Sequence, residues 1–167
     1  AMRLAPDAAT VSLSDGGGWE DPPGWPGATA VRSVAGGGLA ITDLDFDGRR
    51  DLVVAAPGQR QLQVFKGHAG GILGPTQIVS AGATVTALFA EDVDRDGQID
   101  ICALDGGGAE LRVFLGRTDG TLLPPVRFQT GMAGRAMGSI DLDGDRERDV
   151  LVVGSTGYGV LRRVPLY

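Results

Sequence analysis

One sequence pattern occurs three times in the chain at a fixed spacing. Residues 43–51 carry aspartate at positions 1, 3, 5 and 9 of a nine-residue loop, and the same four aspartates return at 92–100 and at 141–149. The loops start 49 residues apart in both cases. A fixed interval of this length is typical of a repeat protein, in which each copy forms one supersecondary unit and needs its neighbours to bury its apolar surface.

The chemistry of each loop favours a calcium ion. Four carboxylates on a tight loop supply hard oxygen ligands, and Gly48 and Gly97 at position 6 of the first two loops allow a positive φ. An EF-hand is excluded, because it needs glutamate at position 12, where this chain has Val54, Ala103 and Val152. The alternative is that the aspartates only cap turns. Three copies with four aspartates each would then repel strongly, so the calcium interpretation is preferred.

The charge of the chain follows from these loops. The net charge is −6, and 12 of the 21 acidic residues are loop aspartates, so three Ca²⁺ ions would bring the formal charge to zero. The basic residues are arginines and the single Lys66, and they form no cluster larger than a pair, which argues against a nucleic-acid partner. No apolar run approaches the roughly 20 residues of a membrane span.

Two single residues exclude some classes of site. Cys102 is the only cysteine, so an internal disulfide is excluded, and its apolar surroundings predict a buried thiol. His68 is the only histidine, which argues against a histidine-dependent triad and against a zinc site with several histidines.

Short apolar runs separated by glycine-rich turns predict an all-β fold. Each repeat contains runs of strand length and no sustained helical spacing, so one repeat is predicted to be a four-stranded antiparallel unit. We expect a single repeat domain over 1–167. Its units are blade 1 at 39–82, blade 2 at 83–131 and blade 3 at 132–167 without its outer strand, and residues 1–38 resemble the outer strands of a blade.

The run Asp-x-Asp-x-Asp-Gly-x-x-Asp-Leu-Val-Val-Ala-Ala-Pro-Gly at 43–58, followed by Val-Phe-Lys-Gly at 64–67, resembles the FG-GAP and VCBS repeats. Such repeats build calcium-binding β-propellers, including the head of the integrin α-subunit, and the resemblance covers roughly 39–164. It implies a β-propeller and a secreted or cell-surface protein. Ala1 and Met2 are typical of residues left after tag removal, which is compatible with an earlier loss of a natural leader.

The resemblance also implies one Ca²⁺ per intact loop, hence two to three per chain. The third loop departs from the pattern, because Gly144 stands at position 4 and Arg146 at position 6. It is therefore expected to bind more weakly or to need a strained turn. The implied ligands are Asp43, Asp45, Asp47, the Arg49 carbonyl and Asp51; Asp92, Asp94, Asp96, the Gln98 carbonyl and Asp100; and Asp141, Asp143, Asp145, the Glu147 carbonyl and Asp149.

The number of blades poses a problem for the architecture. Propellers typically have about 4 to 8 blades, whereas this chain has sequence for about three. Either the chain is part of a longer propeller, or copies of it close a ring by oligomerisation. The second interpretation is preferred, with the N-terminal strands completing the third blade of a neighbour.

The function predicted from these observations is a calcium-stabilised scaffold or protein-binding module without catalytic activity. The expected partner is the chain itself, and a protein or a glycan is the alternative. A lectin would use Trp19 and Trp25, whose indoles could stack on sugar rings, but packing of both as local core is the preferred interpretation. A third possibility is the propeller portion of a larger extracellular enzyme.

Overall fold

The computed structural model of the chain describes residues 38–162, apart from 57, 59, 146 and 147. All regular elements among these residues are β-strands, so the all-β class is confirmed, and no helix among them is long and apolar enough to cross a membrane. The outer strands predicted within residues 1–38 lie, except for Gly38, outside the described part. The strands are β1 Leu39–Thr42, β2 Asp51–Ala56, β3 Gln61–His68, β4 Ile72–Ser80, β5 Val85–Glu91, β6 Asp100–Asp105, β7 Glu110–Phe114, β8 Val126–Gln129, β9 Gly134–Ile140, β10 Asp149–Gly154 and β11 Tyr158–Leu161.

These strands form three antiparallel sheets. Sheet 1 has the order β1-β2-β3-β4, sheet 2 has the order β5-β6-β7-β8, and sheet 3 has the order β9-β10-β11. Strands that follow each other in the sequence pair with each other, as in a meander. The first two copies of the repeat are therefore four-stranded blades, and the third has three strands among the residues described. The blade boundaries 39–82, 83–131 and 132–167 stay a prediction.

Sheet 2 lies between sheets 1 and 3. Its strand β6 is buried along its whole length, and successive side chains point into two different cores. Ile101 and Ala103 pack against sheet 1, whereas Cys102 and Leu104 pack against sheet 3. A strand that is covered on both faces needs an unbroken apolar sequence, which explains the run Ile-Cys-Ala-Leu. Cys102 is fully buried, as predicted, and burial raises the pKa of its thiol, which stays protonated.

The first strands of the three sheets lie next to each other. β1 contacts β5, and β5 contacts β9. The approach is close at Gly38, where a Cβ would lie 2.7 Å from the backbone nitrogen of Leu88. Sheets that stack face to face and whose first strands converge are arranged like neighbouring blades of a propeller.

A side-chain amide joins sheet 1 to sheet 2. Gln77 in β4 donates from Nε2 to the carbonyl oxygen of Leu122, and its Oε1 accepts from the Leu122 N–H, both at 2.8 Å. Leu122 lies in the segment that connects β7 to β8, and its side chain is buried. One amide side chain thus satisfies both backbone polar groups of a buried residue, as a paired strand would.

We expect Gln77→Ala to lower the free energy of unfolding by about 1–2 kcal/mol, because it leaves the N–H and the carbonyl of Leu122 without these partners. Urea unfolding followed by circular dichroism measures the change. Gln129→Ala is the matched control, since it removes only an exposed amide hydrogen bond to Glu110; its cost should stay within about 0.5 kcal/mol. Equal losses in the two variants would contradict the role given to Gln77.

Candidate metal centre

The three aspartate loops occupy equivalent places in the three sheets. Each loop joins the first strand of a sheet to the second: β1 to β2, β5 to β6 and β9 to β10. Positions 1 to 8 make the turn, and position 9 is the first residue of the second strand. A carboxylate at position 9 is therefore held by the sheet, whereas those at positions 1, 3 and 5 are held by the loop.

Three carboxylates converge in each loop. Each offers one oxygen, and the three oxygens lie within 4.8 Å of one another. Ca²⁺ holds oxygen ligands at about 2.3–2.6 Å, so ligands on opposite sides of one ion are about 5 Å apart. The donor type and the spacing therefore fit a calcium ion. The converging groups are Asp43, Asp45 and Asp51; Asp92, Asp94 and Asp96; and Asp141, Asp143 and Asp145.

The other predicted ligands lie outside these groups. Asp47 forms an ion pair with Arg49 at 2.8 Å and is not among the converging carboxylates of the first loop. Asp100 and Asp149 are buried at the start of their strands. Of the three predicted carbonyl ligands, Arg49 and Gln98 belong to described loops, and Glu147 lies outside the described residues.

Backbone amides hold the first carboxylate of each loop in place. Asp43 accepts hydrogen bonds from the N–H of Asp47 at 3.1 Å and of Gly48 at 2.9 Å. Asp92 accepts from the N–H groups at positions 4 and 6 of its loop, and Asp141 accepts from the N–H group at position 4. Turn-capping aspartates make bonds of this kind, so the capping interpretation is compatible with metal binding.

Capping alone does not account for the charge that accumulates in the loops. Desolvation, and after it the charges of the neighbouring carboxylates, raise the pKa of Asp94 and of Asp145 above the ordinary value of an aspartate. The hydrogen bond that Asp94 accepts from Asp96 opposes this shift and does not cancel it. A divalent cation would remove the repulsion, which is a further reason why the loops fit a metal.

Two positions of the loop have a left-handed backbone. A positive φ is expected at position 6 from its glycine, and Gly48 and Gly97 have φ values of +84° and +85°. A positive φ is not expected at position 4, yet Phe46 and Arg95 have φ values of +55° and +68°, and Gly144 has +80°. Gly144, which distinguishes the third loop from the other two, therefore occupies the position where the left-handed backbone is unfavourable for a residue with a side chain. The identities of Phe46 and Arg95 give no signal of this conformation.

Residues 43–103 and, in a second match, residues 92–152 match the family described as FG-GAP-like repeat. Together the two matches cover more than half of the chain.

The chain belongs to the FG-GAP-like repeat family.

The two matches are offset by one repeat, and each extends from an aspartate loop into the second strand of the next sheet. The FG-GAP-like unit thus includes two consecutive loops. No curated protein is similar enough to the chain to count as a match.

In this FG-GAP-like chain, the last aspartate of a loop ties three backbone segments together. Asp100 at the start of β6 accepts from the N–H of Val93 at 3.0 Å and from the N–H of Gly116 at 2.9 Å. The first donor lies in the loop, and the second follows β7. Asp51 makes the equivalent pair of bonds in sheet 1. The position-9 carboxylate therefore connects the loop, the second strand and the third strand of its sheet.

The glycine that donates to this carboxylate is required by the packing. A Cβ on Gly67 would lie 2.3 Å from the carbonyl oxygen of Arg50, and a Cβ on Gly116 would lie 2.2 Å from that of Ile99. No real Cβ approaches an oxygen so closely, so only glycine lets the chain pass over the start of the second strand. This explains the glycine that ends the Val-Phe-Lys-Gly run.

The third loop differs from the others in its contacts. Asp149 accepts from the N–H of Leu142 at 3.2 Å, like its counterparts. The residue one repeat after Gly116 is Pro165, which has no N–H to donate and lies outside the described residues. Asp143 forms an exposed ion pair with Arg162 at 3.3 Å.

Asp100 makes the stability of the fold depend on pH, and the direction of the change follows from its pKa. Burial raises its pKa from 3.8 to about 6, although the N–H groups of Gly116 and Val93 oppose the shift. Because the folded chain holds this proton more tightly than the unfolded chain, the contribution of the group to stability is fully present below about pH 4 and is lost as the pH rises through 6.

We therefore expect the metal-free protein to gain about 1 kcal/mol of stability relative to Asp100→Asn when the pH falls from 7 to 5. Urea unfolding of both proteins in EDTA at the two pH values measures this. A difference that does not change with pH would show that the carboxyl group of Asp100 titrates normally.

Proposed function

We propose that the chain is a calcium-stabilised part of a β-propeller that serves as a scaffold or protein-binding module and has no catalytic activity. The convergence of three carboxylates in each of three equivalent loops supports this most. Three divalent ions would also offset the net charge of −6. Because each loop joins the first two strands of a sheet, a bound ion would fix one strand relative to the other, and its binding energy would add to the stability of the fold.

Acidic residues outside the loops have partners that suit a structural role. Asp105 accepts hydrogen bonds from two glycine amides and pairs with the buried Arg112 at 3.2 Å. Burial raises the pKa of Asp105, but these contacts outweigh burial and lower it. Hydrogen bonds from Thr121 lower the pKa of Asp119. Carboxyl groups that stay ionised are poor general acids, so neither residue is suited to donate a proton.

The chain is also proposed to be extracellular and to act through protein contacts. FG-GAP repeats are typical of extracellular proteins. The alternative of a glycan-binding protein depends on Trp19 and Trp25, which lie outside the described residues, so no described contact favours it.

We expect millimolar Ca²⁺ to raise the melting temperature by about 5–10 °C over the value in EDTA. Two sites with dissociation constants near 100 μM would each contribute about 1.4 kcal/mol at 1 mM, which gives a rise of this size for a chain of this length. The control is the triple variant Asp43→Asn, Asp92→Asn and Asp141→Asn, which should not respond. Equal melting temperatures of the wild-type chain in Ca²⁺ and in EDTA would refute the metal assignment.

Each outer sheet has exposed apolar side chains on the face turned away from sheet 2. On sheet 1, the face turned away from sheet 2 carries Leu39, Ile41 and Ile78, and Ile78 is 67% exposed. On sheet 3, the face turned away from sheet 2 carries Val153 and its cross-strand neighbour Tyr158, which is 71% exposed. Apolar faces of this kind are typical of surfaces that bind another sheet.

The two faces are the two halves of a junction that already exists within the chain. Val153 stands one repeat after Leu104, which packs toward the following sheet. Leu52 stands one repeat before Ile101, which packs toward the preceding sheet. Sheet 1 of a second copy can therefore stack on sheet 3 as sheet 3 stacks on sheet 2. The proposal is that copies associate head to tail in this way and close a ring.

Light scattering in millimolar Ca²⁺ should show a dimer or a larger species, which separates or unfolds in EDTA. Val153→Glu should yield a monomer, because it places a charge in the proposed junction. Ser155→Glu, an exposed position just after β10, is the control and should leave the mass unchanged. A stable wild-type monomer at high concentration would overturn the assembly and would mean that the chain covers its own faces.

A further inference from the structure

The first aspartate loop contains a positive charge from its own sheet. Lys66 in β3 forms an ion pair with Asp45, which is one of the three converging carboxylates. The Lys66 side chain is 28% exposed and that of Asp45 is 10% exposed, so water reaches the lysine more readily than the carboxylate. Asp51 and Asp47 attract the same ammonium group. Lys66 therefore places a cation beside the group of oxygens that fits Ca²⁺.

Further contacts hold this ammonium group in the loop. The hydrogen bond to Asp45 raises the pKa of Lys66, so the group stays charged. Its Nζ also donates to the carbonyl oxygen of Asp119 at 3.4 Å, in the turn that follows β7 of sheet 2. The neighbouring Gly120 lies against the loop, since a Cβ there would be 3.2 Å from the Cβ of Asp45. The turn of sheet 2 thus covers the ion pair in sheet 1.

The second loop has an uncharged residue at the equivalent position. One repeat after Lys66 stands Leu115, which is half-buried just after β7. The two loops share their four aspartates and the glycine at position 6. At this one position, a cation in sheet 1 is replaced by an aliphatic side chain in sheet 2. The two loops also differ at positions 2, 4, 7 and 8, so the role of the lysine is tested by changing this one residue in each sheet.

We propose that the ammonium group of Lys66 competes with Ca²⁺ for the first loop and so lowers the calcium affinity of that loop. The inference rests on the proposed calcium binding. Ca²⁺ can use the paired oxygen of Asp45 only when the ammonium group moves away. If the group stays within about 5 Å of the ion, the repulsion between the two cations corresponds to roughly a tenfold loss of affinity even at a water-like dielectric constant.

This competition has a consequence for the metal-free chain. In the absence of Ca²⁺, Lys66 offsets part of the negative charge of the first loop and keeps the loop in contact with sheet 2. Compared with the second loop, the first loop then fills at a higher calcium concentration and depends less on the ion for its charge balance.

The experiment is a Ca²⁺ titration of the ¹⁵N-labelled full chain by NMR, in which the amide signals of Gly48 and Gly97 report on the first and second loop. Lys66→Met, which removes the charge and keeps the stem, should lower the midpoint of Gly48 about tenfold and leave that of Gly97 unchanged. Leu115→Lys should raise the midpoint of Gly97. The control Arg135→Met makes the same change of net charge at an exposed residue of β9, outside both loops, and should shift both midpoints less than about twofold.

The outcomes separate this inference from the proposed function. If both glycines respond to Ca²⁺ and Lys66→Met leaves the Gly48 midpoint unchanged or raises it, the competition is refuted while calcium binding stands. If neither glycine responds at millimolar Ca²⁺, the proposed function fails, and the inference fails with it. If Lys66→Met does not fold, Leu115→Lys decides the question, and an unchanged Gly97 midpoint overturns the competition.

Discussion

The hydrogen bonds that a buried aspartate accepts at the start of the second strand hold the first two repeats together. In sheets 1 and 2 the two oxygens of this carboxylate accept one N–H from the loop and one from the third strand or the residues just after it. Hydrogen bonds to a charged group are worth about 1.5–3 kcal/mol each, and leaving such a group buried without partners costs more. Because Asp100 is fully buried and its pKa is raised all the same, the burial cost exceeds what its two bonds return. The two hydrogen bonds nevertheless join the loop, the second strand and the glycine that passes over it into one unit.

The sequence predicted most of the fold and most of the loops, for a physical reason. The period, the strands, the turns and the converging aspartates at positions 1 and 3 depend on local signals, namely the alternation of apolar residues and the turn preferences of aspartate and glycine. The burial of Cys102 followed from the unbroken apolar run of a strand that is covered on both faces. These features need no knowledge of which sheet lies next to which.

Some features that sequence reasoning missed depend on contacts between segments distant in the chain, and others on the conformation of the loops themselves. The pairing of Lys66 with Asp45 depends on the position of β3 relative to the loop, and the amide of Gln77 reaches into the next sheet. In the first loop, Asp51 converges with the loop carboxylates and Asp47 turns toward Arg49, whereas in the second loop Asp96 takes part. Loops with the same spacing thus differ in their geometry, because their charged neighbours differ. The positive φ of Phe46 and Arg95 had no signal in the residue types.

Each sheet packs one face against the preceding sheet and the other against the following sheet, and this affects how the number of repeats can change in evolution. Every junction joins the following face of one sheet to the preceding face of the next, with the same register relative to the loop. Duplication of one whole 49-residue unit within a gene would add a sheet whose two faces already match its neighbours. A duplication that is not a whole number of units would break this match between neighbouring faces. Unequal crossing-over between repeats therefore changes the number of blades without altering any existing core.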